Sequence, residues 1–288
     1  MKPLPFLAGT TLAWLSGPAM AAVVNFDFNL RLPGDDNSNV ATDTYEGLGA
    51  APDSASNTHW NSVRRTSSTN VSSASGINSP ILDSAGLSTT VDVHITTTLG
   101  LAGIGHERSV GMQELGTAGA YTNLMGDFIQ LDAAGVDTGA VATANGLFDG
   151  LIIGAVYDIY FYCQGELYGA GGNINSGQNG LFAITDSAGT VTGTPEQTGW
   201  SPSNGVFTEG VEYVKLTATA DNSGRIFFIW QNVVAGVNVA TDFAPDATGG
   251  STDYSALNGI QIVQVVPEAS SALLGMLGLT GLLARRRR

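Results

Sequence analysis

The stretch VEYVKLTATADNSGRIFFIWQ, residues 211–231, decides the fold class of this chain. Residues that favour extended backbone, mainly Val, Ile, Thr and Phe, are dense on both sides of its centre. The centre itself is Asp221-Asn222-Ser223-Gly224, and Asn and Gly tolerate the positive φ that a tight turn needs. The stretch therefore predicts a β-hairpin, with strands over 211–220 and 225–231.

Further segments share this strand character along the chain. In VVNFDFNL, residues 23–30, Val and Phe alternate with Asn and Asp, which predicts a half-buried strand. The turn residues Asp186-Ser187-Ala188-Gly189 predict a second hairpin. The remaining predicted strands cover 87–97, 127–131, 156–163, 180–185 and 258–265.

Composition supports an all-β fold. The 288 residues include 38 Gly, only 12% are charged, and Ser, Thr, Asn and Asp are abundant, as expected of extended segments joined by polar turns. Such strands must hide their edges in a closed barrel or in two facing sheets. We expect one all-β domain over 22–265, a jelly-roll-like antiparallel β-sandwich.

The charge balance excludes one class of partner. The chain has 25 acidic and 11 basic residues, a net charge of −14, and five of the basic residues lie close to its two ends. An acidic surface repels phosphate backbones, so nucleic acid is not an expected partner. Multivalent cations suit this surface better.

The first 21 residues predict a signal peptide. Lys2 precedes an apolar stretch over 4–15, and small residues follow at Ala19 and Ala21. We expect a signal helix that signal peptidase removes between Ala21 and Ala22. The remaining chain is then exported.

The far end of the sequence predicts a membrane tether. Residues 270–284 are uncharged, and as a helix they would span about 22 Å of a hydrocarbon core that is roughly 30 Å thick. Arginines hold a flank on the cytoplasmic side of the membrane, which leaves the folded body outside. The stretch predicts a short transmembrane helix followed by the arginines Arg285, Arg286, Arg287 and Arg288.

Residues 266–288, VPEASSALLGMLGLTGLLARRRR, resemble the PEP-CTERM sorting signal of exported proteins in exopolysaccharide-forming Gram-negative bacteria. The matching parts are the motif Val266-Pro267-Glu268, the apolar helix and the arginine cluster. Ala269 stands where the family's usual motif has a second proline. The resemblance implies recognition and removal of the tail by an exosortase, with the cell surface, outer envelope or extracellular matrix as destination.

Three segments of the body resemble galactose-binding-like sandwich domains, which occur in many exported PEP-CTERM proteins and in carbohydrate-binding modules. They are GLFDGL at 146–151, YDIYFY at 157–162 and ALNGIQI at 256–262. This resemblance implies a sandwich and identifies no ligand.

Two clusters of acidic and amide residues suggest a Ca²⁺ site. One contains Asp35 and Asp36, and the other contains Asp253, shortly before the last predicted strand. Hard oxygen ligands suit Ca²⁺, and in similar sandwich modules a calcium ion often ties the first and last strands together. The alternative is that these aspartates are ordinary solvated loop residues.

Three aromatic residues in predicted loops are candidates for contact with polysaccharide. Trp60, Trp200 and Tyr168 could each stack a flat ring on a sugar. Burial in the structure is the alternative for the tryptophans. Trp230 and Cys163, in contrast, lie within predicted strands and are expected in the core.

No catalytic motif emerges. His59, His94 and His106 lack the spacing of a zinc site, and Glu114, Glu166 and Glu209 lie in no recognisable glycosidase pattern. We therefore expect a noncatalytic surface or matrix protein that binds polysaccharide. Two alternatives stay open: a secreted glycoside hydrolase or lyase that uses two carboxylates, and an adhesin or coat component cross-linked by Ca²⁺.

Overall fold

The computed structural model describes residues 23–28, 47–51, 59–63, 65–67, 69–73, 80–98, 101–104, 124–125, 128–132, 141–163, 179–199, 206–240 and 254–266. These residues contain fifteen strands. The strands are β1 (Val23–Phe28), β2 (Trp60–Val63), β3 (Arg65–Ser67), β4 (Asn70–Ser72), β5 (Asp92–Thr97), β6 (Leu101–Ile104), β7 (Phe128–Asp132), β8 (Thr143–Asp149), β9 (Val156–Tyr162), β10 (Gly180–Thr185), β11 (Glu196–Gln197), β12 (Tyr213–Thr219), β13 (Ile226–Asn232), β14 (Tyr254–Leu257) and β15 (Gly259–Gln264).

The strands form three sheets. A five-stranded sheet has the order β12-β9-β15-β1-β2, and a seven-stranded sheet has the order β11-β10-β13-β8-β5-β4-β3. A smaller sheet has the order β14-β7-β6. Apart from the parallel pair β1 and β2, the strand pairs are antiparallel. The prediction of an all-β antiparallel sandwich is confirmed.

The core lies between the five-stranded and the seven-stranded sheet, and aromatic rings join the two. Phe161 of β9 stacks on Phe182 of β10 with 4.6 Å between ring centroids, and its ring lies 5.0 Å from that of Phe228 on β13. Trp230 and Cys163 are fully buried in this core, as predicted. Offset aromatic pairs add to the apolar burial that holds two sheets together.

The turn at Asp221 forms as predicted, but the hairpin prediction for β12 and β13 is wrong. The Gly224 amide donates to the Asp221 carbonyl at 3.0 Å, and Gly224 has φ +73°. The two strands then enter different sheets: β12 pairs with β9, and β13 pairs with β10 and β8. The turn crosses the sandwich, because apolar faces on both strands can bury against each other across the core.

The second predicted hairpin is confirmed. The Asp186 amide donates to the Thr190 carbonyl at 2.9 Å, and Thr185 bridges to Val191 in antiparallel fashion. The identical tetrapeptide at 83–86, Asp-Ser-Ala-Gly, makes the same turn, in which the Asp83 amide donates to the Leu87 carbonyl at 2.8 Å. The four residues of such a turn were therefore sufficient to predict it from the sequence.

The first strand differs from its prediction as a half-buried strand, because all six residues of β1 are buried. Asn25 and Asp27, expected at the surface, are covered by a second apolar layer on the outer face of the five-stranded sheet. Asn25 is satisfied there: its amide nitrogen donates to the His59 carbonyl at 2.9 Å, and its amide oxygen accepts from Gln261 at 2.8 Å. Buried polar groups of this kind need such partners.

All eight predicted strand segments contain an observed strand, whereas seven of the strands within the described residues were not predicted. Most of the missed strands have only two to four residues. The longest, β8, contains Asn145 and Gly146, which interrupt an apolar pattern. Gly146 is needed because a Cβ atom there would lie 2.0 Å from the ring of Phe228.

Candidate functional site

A groove of about 680 Å³ lies between β12 and the hairpin of β10. β12 is the outermost strand of the five-stranded sheet, and β11 is the outermost strand of the seven-stranded sheet. One bank of the groove carries Lys215, Thr217 and Thr219, and the other carries Thr192, Thr194 and Glu196. Polar side chains from both segments, which can donate and accept hydrogen bonds, thus line the groove.

The alternation of β12 produces one bank of this groove. Val214 and Leu216 point into the core, and Lys215 and Thr217 point the other way. A lysine on an edge strand also discourages pairing with a further strand, because its charge would have to be buried. The edge of β12 is therefore protected against pairing with another β-strand.

Both cations that line the groove are paired within the protein. Lys215 Nζ lies 3.7 Å from Asp158 Oδ2, and Arg225 Nη2 lies 3.4 Å from Asp149 Oδ2. Thr217 also donates to Asp158 Oδ1 at 2.6 Å. Exposed ion pairs of this kind contribute about 0–1 kcal/mol each, so their main effect here is to neutralise the positive charges.

The far wall of the groove adds negative charge, which comes from Glu196 and from two turn aspartates. Asp186 Oδ1 accepts backbone hydrogen bonds from Ala188 and Thr190, and Asp221 Oδ1 accepts from the amides of residues 223 and 225. The carboxylates of Asp186 and Asp221 therefore stabilise the two turns at one end of the groove. The electrostatics of the lining do not favour an anionic ligand.

Two tyrosines stand beside the groove on the outer face of the five-stranded sheet. Tyr213 lies on the same side of β12 as Lys215, and its ring centroid is 5.7 Å from that of Tyr160. Burial, and then the nearby charge of Asp158, raises the pKa of Tyr160 to about 12; burial and Glu209 raise the pKa of Tyr213. Both hydroxyls thus stay protonated at neutral pH, and the half-buried ring of Tyr213 offers an aromatic surface next to the groove.

Of the three predicted glycan-contact residues, only Trp60 lies within the described residues. It begins β2, is 1% exposed, and donates from Nε1 to the Gly47 carbonyl at 3.0 Å. A ring in this position cannot stack on a sugar, so the prediction is wrong for Trp60 and the alternative of burial holds. Trp200 and Tyr168 lie outside the described residues.

Most other predicted sites also lie outside the described residues. This applies to the calcium candidates Asp35, Asp36 and Asp253, to the signal-peptide residues Ala19, Ala21 and Ala22, and to Pro267, Glu268 and the arginines 285–288. Val266 is the last described residue after β15. Within the described ranges, no group of three or more His, Cys, Asp or Glu residues could hold a metal ion.

The same described residues contain no helix that is both long and apolar enough to cross a membrane.

The sequence analysis did not predict the groove beside β12. The alternation of residues 213–219 could have indicated a polar outer face on this strand. It could not indicate which segment forms the opposite bank.

No family model matches this sequence, and no curated protein matches it. Among solved structures, TmCBM61 in complex with beta-1,4-galactotriose is similar with a TM-score of 0.30 at 10% identity, over 60% of this chain and 88% of that one. The enzymatically active domain of bacteriophage CBA120 tailspike protein 4 has a TM-score of 0.27 at 10% identity, over 48% of this chain and 16% of that one. At such low scores, neither protein's ligand or activity transfers to this chain.

Proposed function

We propose that this chain is an exported, noncatalytic protein of the cell surface or extracellular matrix, and that it binds polysaccharide in the groove beside β12. The observation that carries the proposal is a groove lined by hydroxyl-bearing side chains from two segments, with Thr217 and Thr219 on β12 and Thr192 and Thr194 after β10. A threonine hydroxyl donates one hydrogen bond and accepts others, as sugar hydroxyls do. The adjacent ring of Tyr213 supplies an apolar surface for a sugar face.

The charges of the groove favour a neutral polysaccharide. Lys215 and Arg225 are paired with carboxylates of the protein, and Glu196 adds an exposed negative charge. A uronic acid polymer would bring further carboxylates to this lining. Neutral glucans, galactans or mannans avoid that repulsion, so they are the preferred ligand class.

Export and surface sorting belong to the same proposal and are supported by the sequence. Residues 1–21 have the pattern of a signal peptide, and residues 266–288 have the three parts of an exosortase signal. Signal peptidase and an exosortase are thus the processing partners, and the membrane holds the chain between the two cleavages. Intact mass measurement of protein from the native envelope tests this, since a mass that retains residues 285–288 contradicts removal of the tail.

Affinity electrophoresis and calorimetry with immobilised or soluble polysaccharides test the groove. The panel contains neutral glucans, galactans and mannans together with alginate and polygalacturonate. Thr194→Val and Thr219→Val each remove one hydroxyl from opposite banks, and each should weaken binding about fivefold if one hydrogen bond is lost. Thr96→Val, an exposed strand residue on the seven-stranded sheet, is the matched control and should bind normally.

Two results would contradict the binding proposal. Equal affinity of all four proteins would place the ligand elsewhere, and stronger binding to the acidic polymers would reverse the charge argument. Release of new reducing or unsaturated ends during incubation would show that the protein is an enzyme. Binding without product release supports the noncatalytic function.

A further inference from the structure

One end of the sandwich carries most of the large aliphatic side chains that are exposed within the described residues. Nine large hydrophobic residues of the described chain are exposed, and six of them lie at this end. We call these six residues the apolar rim: Leu87, Ile152, Ile153, Val156, Val191 and Val265. Their exposed fractions range from 37% for Val156 to 66% for Leu87.

Hydrogen bonds place the rim residues at the same end. The Val265 amide donates to the Val156 carbonyl at 2.8 Å, and the Ala155 amide donates to the Ile152 carbonyl at 3.0 Å. The turn that carries Leu87 reaches the start of β1, where the Ser84 amide donates to the Val23 carbonyl at 2.7 Å. The rim therefore lies at the end of the sandwich where its last strand, β15, also ends.

The rim is not needed to complete the core. The loop after β8 is held by the Leu151 amide, which donates to the Gly224 carbonyl, and by the Gly154 amide, which donates to the Ala220 carbonyl. Leu151 is buried, whereas Ile152 and Ile153 are 59% and 62% exposed. Consecutive exposed isoleucines mark a surface for an apolar partner rather than a folding requirement.

The chain itself indicates what that partner is. The uncharged segment 270–284 begins four residues after Val266, and four extended residues reach at most about 14 Å. If this segment enters a bilayer, the end of the sandwich at Val265 must lie close to that bilayer. The apolar rim is at this same end.

We propose that the apolar rim rests in the interface of the phospholipid bilayer while the chain is tethered. This rests on the tethering part of the proposed function. The groove reaches the same end of the sandwich, where Asp186, Asp221 and Arg225 line it. The charged side chains at this end are mainly acidic: Asp83, Asp92, Asp149, Asp186 and Asp221 accompany Arg225. Contact is therefore driven by aliphatic burial, and zwitterionic lipid is preferred to anionic lipid.

Site-specific quenching in vesicles of phosphatidylcholine tests the proposal on the full chain. Ile153→Cys carries an environment-sensitive fluorophore at the rim. Val237→Cys carries it at the opposite end, beyond β13, where the exposure is similar at 66%. The native Cys163 is fully buried, so the folded protein is labelled only at the introduced residue.

We expect nitroxide lipids to quench the label at position 153 at least severalfold more than the label at 237. Ile152→Ser with Ile153→Ser should abolish quenching of a label at Val265→Cys without loss of vesicle flotation. Flotation with equal quenching at 153 and 237 would overturn the rim contact and leave the tether intact. Failure of the full chain to float with vesicles would overturn both.

Discussion

The indole nitrogen of Trp230 donates a hydrogen bond to the hydroxyl oxygen of Ser255 at 2.7 Å, and both residues are fully buried. Trp230 belongs to β13 in the seven-stranded sheet, and Ser255 belongs to β14 in the smaller sheet. Cys163 Sγ lies 3.6 Å from the same hydroxyl oxygen. One small side chain thus satisfies the polar atom of a large core residue and joins two sheets.

Ser255→Ala should lower the free energy of unfolding by about 1–3 kcal/mol, because the Trp230 N–H would lose its acceptor inside the core. Urea unfolding followed by tryptophan fluorescence measures the change. Ser223→Ala, in the exposed turn before β13, is the control and should change stability by less than about 0.5 kcal/mol. Equal stability of the two variants would mean that the hydrogen bond contributes nothing.

Gly146→Ala should destabilise the sandwich by about 1–3 kcal/mol through overpacking. The added Cβ would lie 2.0 Å from the Phe228 ring, which itself stacks on Phe148 with 5.0 Å between centroids. Gly193→Ala is the matched control, since no atom lies within 4 Å of its Cβ position. Thermal unfolding of both variants gives the comparison, and a similar melting temperature for the two would contradict the packing argument.

The two related turns should respond differently to the same substitution. Gly189 and Gly224 both have positive φ, at +84° and +73°, so alanine is strained at either position. Only at Gly224 would the new Cβ also meet the Leu151 carbonyl oxygen, at 2.5 Å. Gly224→Ala should therefore cost clearly more unfolding free energy than Gly189→Ala in urea titrations; the reverse order would contradict this geometry.

Stability should decline in alkaline solution, beginning near pH 9. Burial raises the pKa of Cys163 from 9.0 to about 12, so the unfolded chain loses this proton before the folded one does. The resulting stabilisation is fully present below pH 9.0 and is lost as the pH rises toward about 12. Tyr160, whose pKa rises from 10.0 to about 12, adds to the decline only above pH 10.0.

Cys163→Ala isolates the thiol contribution to this decline. Urea unfolding of the variant at about pH 8 and about pH 10 should show a smaller loss of stability than the parent chain, even though the cavity lowers stability at both pH values. A thiol reagent should also react with the parent chain only after unfolding. Rapid modification of the folded protein, or identical pH slopes, would contradict burial of a neutral thiol.

Strand positions were accessible from sequence, but the partners of the strands were not. The turn at Asp221 depends on four neighbouring residues, and it forms as predicted. Whether β12 and β13 pair with each other depends on where β9, β10 and β8 lie, which no local pattern encodes. Trp60 shows the same limit: its polar neighbours indicated a loop, but pairing with β1 placed it in a buried strand.

The groove also depends on tertiary structure. Lys215, Thr217 and Thr219 share a face because strand side chains alternate, which is a property of the sequence. Thr192 and Thr194 come to the opposite bank only because β11 and β12 end the two facing sheets on the same side. No spacing between these residues predicts that meeting.

The sequence by itself determined that the chain forms β-strands joined by four-residue turns that begin with Asp and end with Gly. It also placed Trp230 and Cys163 in the core. These features depend on the preferences of single residues and of close neighbours. The tertiary structure alone decided which strands pair, that Asn25 is buried, and that a polar groove opens beside β12. These features depend on contacts between residues far apart in the chain, whose free energy becomes available only when both sheets have formed.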